Sequence, residues 1–166
     1  MAARKTLLVV FHSMTGGAAQ MAQAAAEAAR AQTALNVLLQ RASDTGPEAL
    51  LTADGYLFVT PENLAAVSGL MKDFFDRCYY PALGRIEGRP YASLICAGSD
   101  GQNAARQIER IATGWRLRTV ADPLIVCTHA QTPEDILRPK IIPATDLALC
   151  AELGNTLAEG LTLGIF

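Results

Sequence analysis

The chain is poor in the residues that metal and disulfide chemistry use. It has only two histidines, His12 and His129, and its four cysteines, Cys78, Cys96, Cys127 and Cys150, lie far apart with no Cys-x-x-Cys pair. No zinc pattern can be drawn from that set, so no metal site is expected. Four isolated thiols fit a reducing compartment better than a disulfide framework, and a cytoplasmic location is the expectation. Basic clusters are missing too. Fourteen Lys and Arg are scattered against 16 Asp and Glu, for a net charge of −2 and a pI near 5.6. That removes the electrostatic case for nucleic acid or an anionic membrane surface as a partner. Long apolar runs are also absent. The run after Arg4 and Lys5 ends at Phe11, too short for a signal peptide, and nothing approaches the ~18 residues of a membrane helix.

What is present is a chain able to build a core. With 166 residues, 51% of them hydrophobic, it suits one domain spanning residues 1–166 and is too apolar for disorder. Apolar runs at about Thr6–Phe11, Leu35–Leu39, Gly55–Thr60, Tyr91–Ala97 and Val120–Cys127 read as strands; Pro123 marks the last as an edge or bulged strand. Helices are expected over about 18–31, 67–78, 103–115 and 144–160, with short turns near Glu48–Leu51 and Thr132–Asp135. In the first helix Gln20, Gln23, Glu27 and Arg30 form one solvated stripe on a face otherwise built of Ala and Met. In the second, Val67, Leu70, Met71, Phe74, Phe75 and Cys78 follow steps of three and four. Strand and helix alternate five times. The fold class expected is therefore α/β, a three-layer doubly wound sandwich on a five-stranded parallel sheet with right-handed crossovers and strand order 2-1-3-4-5.

In such a sheet, ligands bind beyond the carboxyl ends of the strands, at the switch between strands one and three. The residues after strands one, three and four should meet there. The first of these stretches is Ser13-Met14-Thr15-Gly16-Gly17-Ala18. It offers hydroxyls, backbone N–H groups and permissive glycines at a helix start, the makings of a phosphate site. The Lys and Ser/Thr of a nucleotide P-loop are missing, and the adjacent glycines do not match the spaced dinucleotide fingerprint. A lone terminal phosphate held without a cation fits better. The stretch resembles the FMN-phosphate loop of the flavodoxin-like family.

The second and third stretches sharpen the likeness. Thr60-Pro61-Glu62-Asn63, followed by Ser68-Gly69-Leu70-Met71-Lys72-Asp73-Phe74-Phe75-Asp76-Arg77, closely resembles the second FMN loop and following helix of NAD(P)H-dependent FMN reductases. It is also similar to the WrbA-like quinone reductase branch of the flavodoxin superfamily. Ala97-Gly98-Ser99-Asp100-Gly101 sits where that family's third flavin loop sits. The likeness covers about Leu7 to Trp115. It departs at Ala18, where the family often has a second Thr, and at Leu64, where relatives often have an aromatic.

Carried over residue by residue, the resemblance implies a site. Ser13, Met14, Thr15, Gly16, Gly17 and Ala18 surround the FMN phosphate. Pro61, Glu62, Asn63 and Leu64 line the isoalloxazine ring, and Gly98, Ser99, Asp100 and Gly101 close its pyrimidine side. The activity implied is two-electron transfer from NAD(P)H through FMN to a small-molecule acceptor such as a quinone, flavin or azo compound, in a homodimer or homotetramer. No catalytic side chain is required, because the cofactor carries the chemistry. The alternative is a flavodoxin-type electron carrier or flavin-binding module without its own reductase activity. A third reading keeps the fold without FMN. His12 and His129 read as solvated or backbone-bonded, and Trp115 as core at the far end of its helix. Tyr79 and Tyr80 lie remote from the site within one subunit. Arg41 ends strand two beyond any motif.

Overall fold

Strands whose successive side chains point to opposite, equally covered faces build the molecule. The computed structural model describes residues 3–166. In β1 (Lys5–Phe11), Leu8 and Val10 join one core cluster, and Leu7, Val9 and Phe11 join another on the opposite face. Covering on both faces explains the unbroken apolar run. Each fully buried Leu or Val contributes about 1.5–3 kcal/mol.

The further elements are α1 (Gly17–Ala29), β2 (Leu35–Arg41), a 3-10 turn at Ala42–Asp44, α2 (Pro47–Thr52) and β3 (Gly55–Asn63). These are followed by β4 (Ala66–Val67), α3 (Gly69–Ala82), β5 (Pro90–Ala97) and α4 (Gln102–Gly114). The chain finishes with β6 (Arg118–Thr119), β7 (Leu124–Cys127), α5 (Pro133–Leu137) and α6 (Ala144–Leu163). β1 pairs in parallel with β2 and β3, β3 with β5, and β5 with β7. The long strands therefore run β2-β1-β3-β5-β7, the 2-1-3-4-5 order expected.

The sheet nonetheless has seven strands. Of the expected fifth strand, Val120–Cys127, only Leu124–Cys127 is strand, β7, and a further short strand, β6, lies just before it. β6 pairs with Pro90–Tyr91, and β7 pairs with Leu94–Ala97. Between them lies Pro123, which has no N–H for the ladder. The other extra strand is β4, antiparallel to the end of β3. Val67, expected as the first residue of a helix, belongs to β4, and α3 starts only at Gly69. Its burial satisfies the helical spacing and the strand equally, so periodicity could not separate the two.

The Ala-rich first helix is explained by α6. A Cβ on Gly154 would come within 2.1 Å of the Ala25 carbonyl oxygen, so the two helices pass almost backbone to backbone. On the opposite face the core is aromatic. Phe58 packs edge-on against Phe75 at 5.2 Å, and Tyr79 stacks on Trp115 at 5.6 Å between centroids. Trp115 is fully buried, and its indole N–H donates to the Tyr79 carbonyl at 3.0 Å. It is core, as expected. The four cysteines are free thiols, all buried except the half-buried Cys127. Among the described residues, no helix is long and apolar enough to cross a membrane.

Candidate functional site

The first loop leaves β1 tied to its neighbours by hydrogen bonds. The His12 N–H donates to the Val59 carbonyl of β3 at 3.1 Å. The Ser13 hydroxyl oxygen accepts from the Gly16 N–H at 3.1 Å and closes the turn. Gly16 has φ of 96°, a left-handed conformation that suits glycine. α1 then begins at Gly17 without a side-chain cap. The Gln20 N–H is the one that returns to the Gly16 carbonyl, so the N–H groups of Gly17, Ala18 and Ala19 precede the first helical bond. Gly17 and Ala18 are buried. A buried, uncapped helix start favours an anion through its free donors and its dipole. Residues 13–18 contain no acidic side chain to oppose one. This end of the fold fits a phosphate group. Gly17 is required for packing as well, since a Cβ there would lie 2.6 Å from the Cys96 sulfur.

A strap covers this loop. The Lys140 N–H donates to the Thr15 carbonyl at 2.8 Å. The Gln20 amide reaches both sides, donating to the Gly16 carbonyl at 3.0 Å and the Lys140 carbonyl at 2.7 Å, and accepting from the Ile142 N–H at 3.0 Å. Gln20 is thus no member of a solvated stripe, contrary to expectation. Its helical spacing is the same as that of Gln23 and Glu27, and the spacing alone does not reveal the strap. The signal that was available is Pro139 and Pro143, which bracket an extended segment.

The second loop is a hairpin. Glu62 pairs with Val67 and Asn63 with Ala66, leaving Leu64 and Ala65 as a two-residue turn with φ of 51° and 58°. Positive φ at both positions is the type I′ pattern. The base of the hairpin is tied by the Thr60 and Ser68 hydroxyls, 2.9 Å apart and fully buried. Ser68 therefore does not cap α3 with its side chain. α4 holds the outer arm. The Gln107 Oε1 accepts from the Val67 N–H at 2.7 Å, and the Asn103 side-chain amide donates to the Ala65 carbonyl.

Glu62 is the main surprise of this loop. Its carboxylate accepts from the Gly101 N–H at 2.9 Å and the Ala104 N–H at 3.0 Å. It caps α4, where a negative charge also suits the helix dipole. That capping joins the second loop to the third. In the third loop Gly101 has φ of 84°, and a Cβ on it would strike Ile125 at 2.6 Å. The Gly98 carbonyl accepts from the His129 N–H at 2.8 Å. Ser99 and Asp100 are exposed at the surface.

The three loops therefore stand at the carboxyl ends of adjacent strands β1, β3 and β5, the second and third joined by the Glu62 carboxylate. Beside them opens a cleft of about 480 Å³, whose lining includes Thr128, His129, Arg138 and Lys140. It touches the third loop through His129 and the first through Lys140. His129 is exposed and strained, with φ of 60°. Burial, and then the Arg41 charge, hold His12 below its ordinary value of 6.5. Burial pushes the Cys96 thiol up to about 11, against the opposing pull of Lys140, so Cys96 is no thiolate nucleophile. Near the end of α3, Tyr79 stacks on Trp115 at that end of the core, and the exposed Tyr80 lies edge-on to Tyr79.

The sequence model of the family described as NADPH-dependent FMN reductase matches residues 43–132, more than half of the chain. That span contains the second and third loops. A flavodoxin of Aquifex aeolicus (strain VF5) is 33% identical over 95 residues, 57% of this chain and 51% of that relative. An NAD(P)H dehydrogenase (quinone) of Acidithiobacillus ferrooxidans is 32% identical over 91 residues, 43% of this chain and 46% of the relative. The chain spans about half the length of the curated relatives it matches. Among solved structures, the flavodoxin WrbA-like protein from Agrobacterium tumefaciens superposes with a TM-score of 0.74 at 18% identity. The superposition covers 96% of this chain and 98% of that one. A flavodoxin from the domain Archaea gives a TM-score of 0.75 at 17% identity over 94% and 98%. At such identities the likeness is one of fold, and it is the flavodoxin-like fold. The chain belongs to the NADPH-dependent FMN reductase family.

Proposed function

We propose that the protein binds FMN across the three loops and uses it to pass two electrons from NAD(P)H to a small-molecule acceptor such as a quinone or a flavin. The observation that carries this reading is the buried, uncapped start of α1, in one row with two stapled loops. Ser13, Met14, Thr15, Gly16, Gly17 and Ala18 would take the phosphate, chiefly through backbone N–H groups. Pro61, Glu62, Asn63 and Leu64 would line the ring through the hairpin backbone, because the Glu62 carboxylate is committed to α4. Gly98, Ser99, Asp100 and Gly101 would close the remaining edge. FMN, when bound, supplies the hydride-accepting and hydride-donating chemistry. The chain holds, orients and shields it, and no side chain has to move a proton. A homodimer or homotetramer belongs to the same reading, with the fully exposed Leu64 available to a neighbouring subunit.

The test is to add FMN to the purified protein, desalt it and record the visible spectrum. Retained flavin absorbance supports the reading, and a colourless protein contradicts tight binding. A second reading, a carrier without reductase activity, is favoured by the flavodoxin relative. NADPH oxidation by the FMN-loaded protein alone distinguishes them, since a carrier needs a separate reductase.

A further inference from the structure

The first loop lacks a cation of its own. Residues 13–18 contain no Lys or Arg, whereas a phosphate monoester carries about −1.5 to −2 charges at pH 7. The fold brings a cation to the same place from the strap. The Lys140 N–H donates to the Thr15 carbonyl at 2.8 Å, and the Lys140 Cβ lies 3.5 Å from where a Cβ on Gly17 would stand. The Lys140 ammonium is anchored at the end of α5. It donates to the carbonyls of Asp135 at 2.8 Å, Ile136 at 2.9 Å and Arg138 at 2.6 Å. Among the described residues no carboxylate pairs with it. The Glu134 and Asp135 carboxylates beside it are held by Arg138 instead.

An ammonium has three N–H donors, and here each one is committed to backbone. Lys140 therefore has no donor left to grasp a ligand, but its charge is fixed in place and uncompensated by an acid. That charge reaches the start of α1. Burial raises the Cys96 thiol and the Lys140 charge opposes it, and the Cys96 sulfur stands 2.6 Å from a Cβ placed on Gly17. Lys140 is half-buried, so its field is less screened than that of a surface lysine. It adds to the dipole of α1, which favours an anion at the same spot.

We propose that Lys140 is a specificity-determining residue of the flavin site, whose fixed charge favours the phosphorylated flavin, FMN, over riboflavin without touching the phosphate. The inference rests on the reading that the first loop holds the FMN phosphate. It is tested by titrating FMN and riboflavin, followed by quenching of their fluorescence, into the wild type, Lys140→Met, Lys140→Arg and Gln20→Leu. The wild type should prefer FMN. Lys140→Met should lower that preference about tenfold, the scale of one unit charge acting across about 10 Å at an effective dielectric of ~20. Lys140→Arg should keep most of it. Between about 0.02 and 0.5 M salt the wild-type preference should fall steeply, and that of Lys140→Met much less. Gln20→Leu loosens the same strap with the ammonium in place, so it should keep the wild-type salt dependence; this separates charge from structural support. Because each preference is a ratio within one variant, partial misfolding cannot imitate it. A wild type that binds both flavins equally would overturn the inference. So would an unchanged preference in Lys140→Met, an equal loss in Lys140→Arg, or a loss in Lys140→Met that keeps the wild-type salt dependence. In each of those cases FMN is still bound and the FMN reading stands. A wild type that binds neither flavin would defeat that reading, and the inference with it.

Discussion

Leu64 and Ala65 occupy the left-handed region with no glycine between them, and an L residue there costs about 1–2 kcal/mol. Leu64 is wholly exposed, so folding gains nothing from its side chain. Such strain persists at sites where the backbone path matters more than stability. Replacing the pair, Leu64→Asn with Ala65→Gly, should therefore raise the unfolding free energy by about 1–2 kcal/mol in urea; no gain would mean the turn is not strained. His12 gives a pH prediction. Its folded value lies below its ordinary 6.5, from burial first and Arg41 second. The unfolded chain thus takes the proton more readily, and the stability His12 contributes is present above pH 6.5 and lost as pH falls through its folded value. Unfolding measured at pH 7.5 and pH 5 should show a smaller acid loss for His12→Asn than for the wild type. At this scale much was hidden from the sequence. Glu62 was legible as a loop residue, but its capping role depends on N–H groups at Gly101 and Ala104, brought near only by the β3–β5 pairing.

Two elements carry the site, the hairpin and the strap, and neither follows from periodicity. β3 was legible through Thr60 because its residues are apolar. Its continuation through Pro61-Glu62-Asn63 is polar and reads as loop until α4 supplies Gln107 and Asn103 to hold the outer arm. The strap depends on one side chain. Gln20→Leu would leave the Ile142 N–H and the Lys140 carbonyl without their partner, a loss of about 1–3 kcal/mol. Amide exchange at Ile142 should accelerate in that variant while α3 amides keep their wild-type rates. Equal rates at Ile142 would show that Lys140–Thr15 holds the strap unaided.

The molecule as a whole was the most legible level. Apolar runs alternating with amphipathic helices dictate a doubly wound parallel sheet, and the late start of the last strand after Pro123, the short β6 before it and the β4 arm escaped, all governed by backbone hydrogen bonding. The same tight core shapes the response to alkali. Burial pushes Cys78, Cys96 and Cys150 up to about 11 from an ordinary 9.0, and Tyr56 to about 12 from 10.0. These groups are neutral inside, so their contribution is complete below pH 9 and is lost as the unfolded thiols ionise above it. Urea midpoints should be flat through pH 8 and fall between pH 9 and 11, less steeply for Cys150→Ala.

The central claim concerns electron flow, and anaerobic mixing of the FMN-loaded protein with NADPH tests it most directly. The account predicts that the bound-flavin absorbance bleaches and returns when a quinone is added. Flavin that stays bound and oxidised in the presence of NADPH would contradict it, and leave a carrier in place of a reductase.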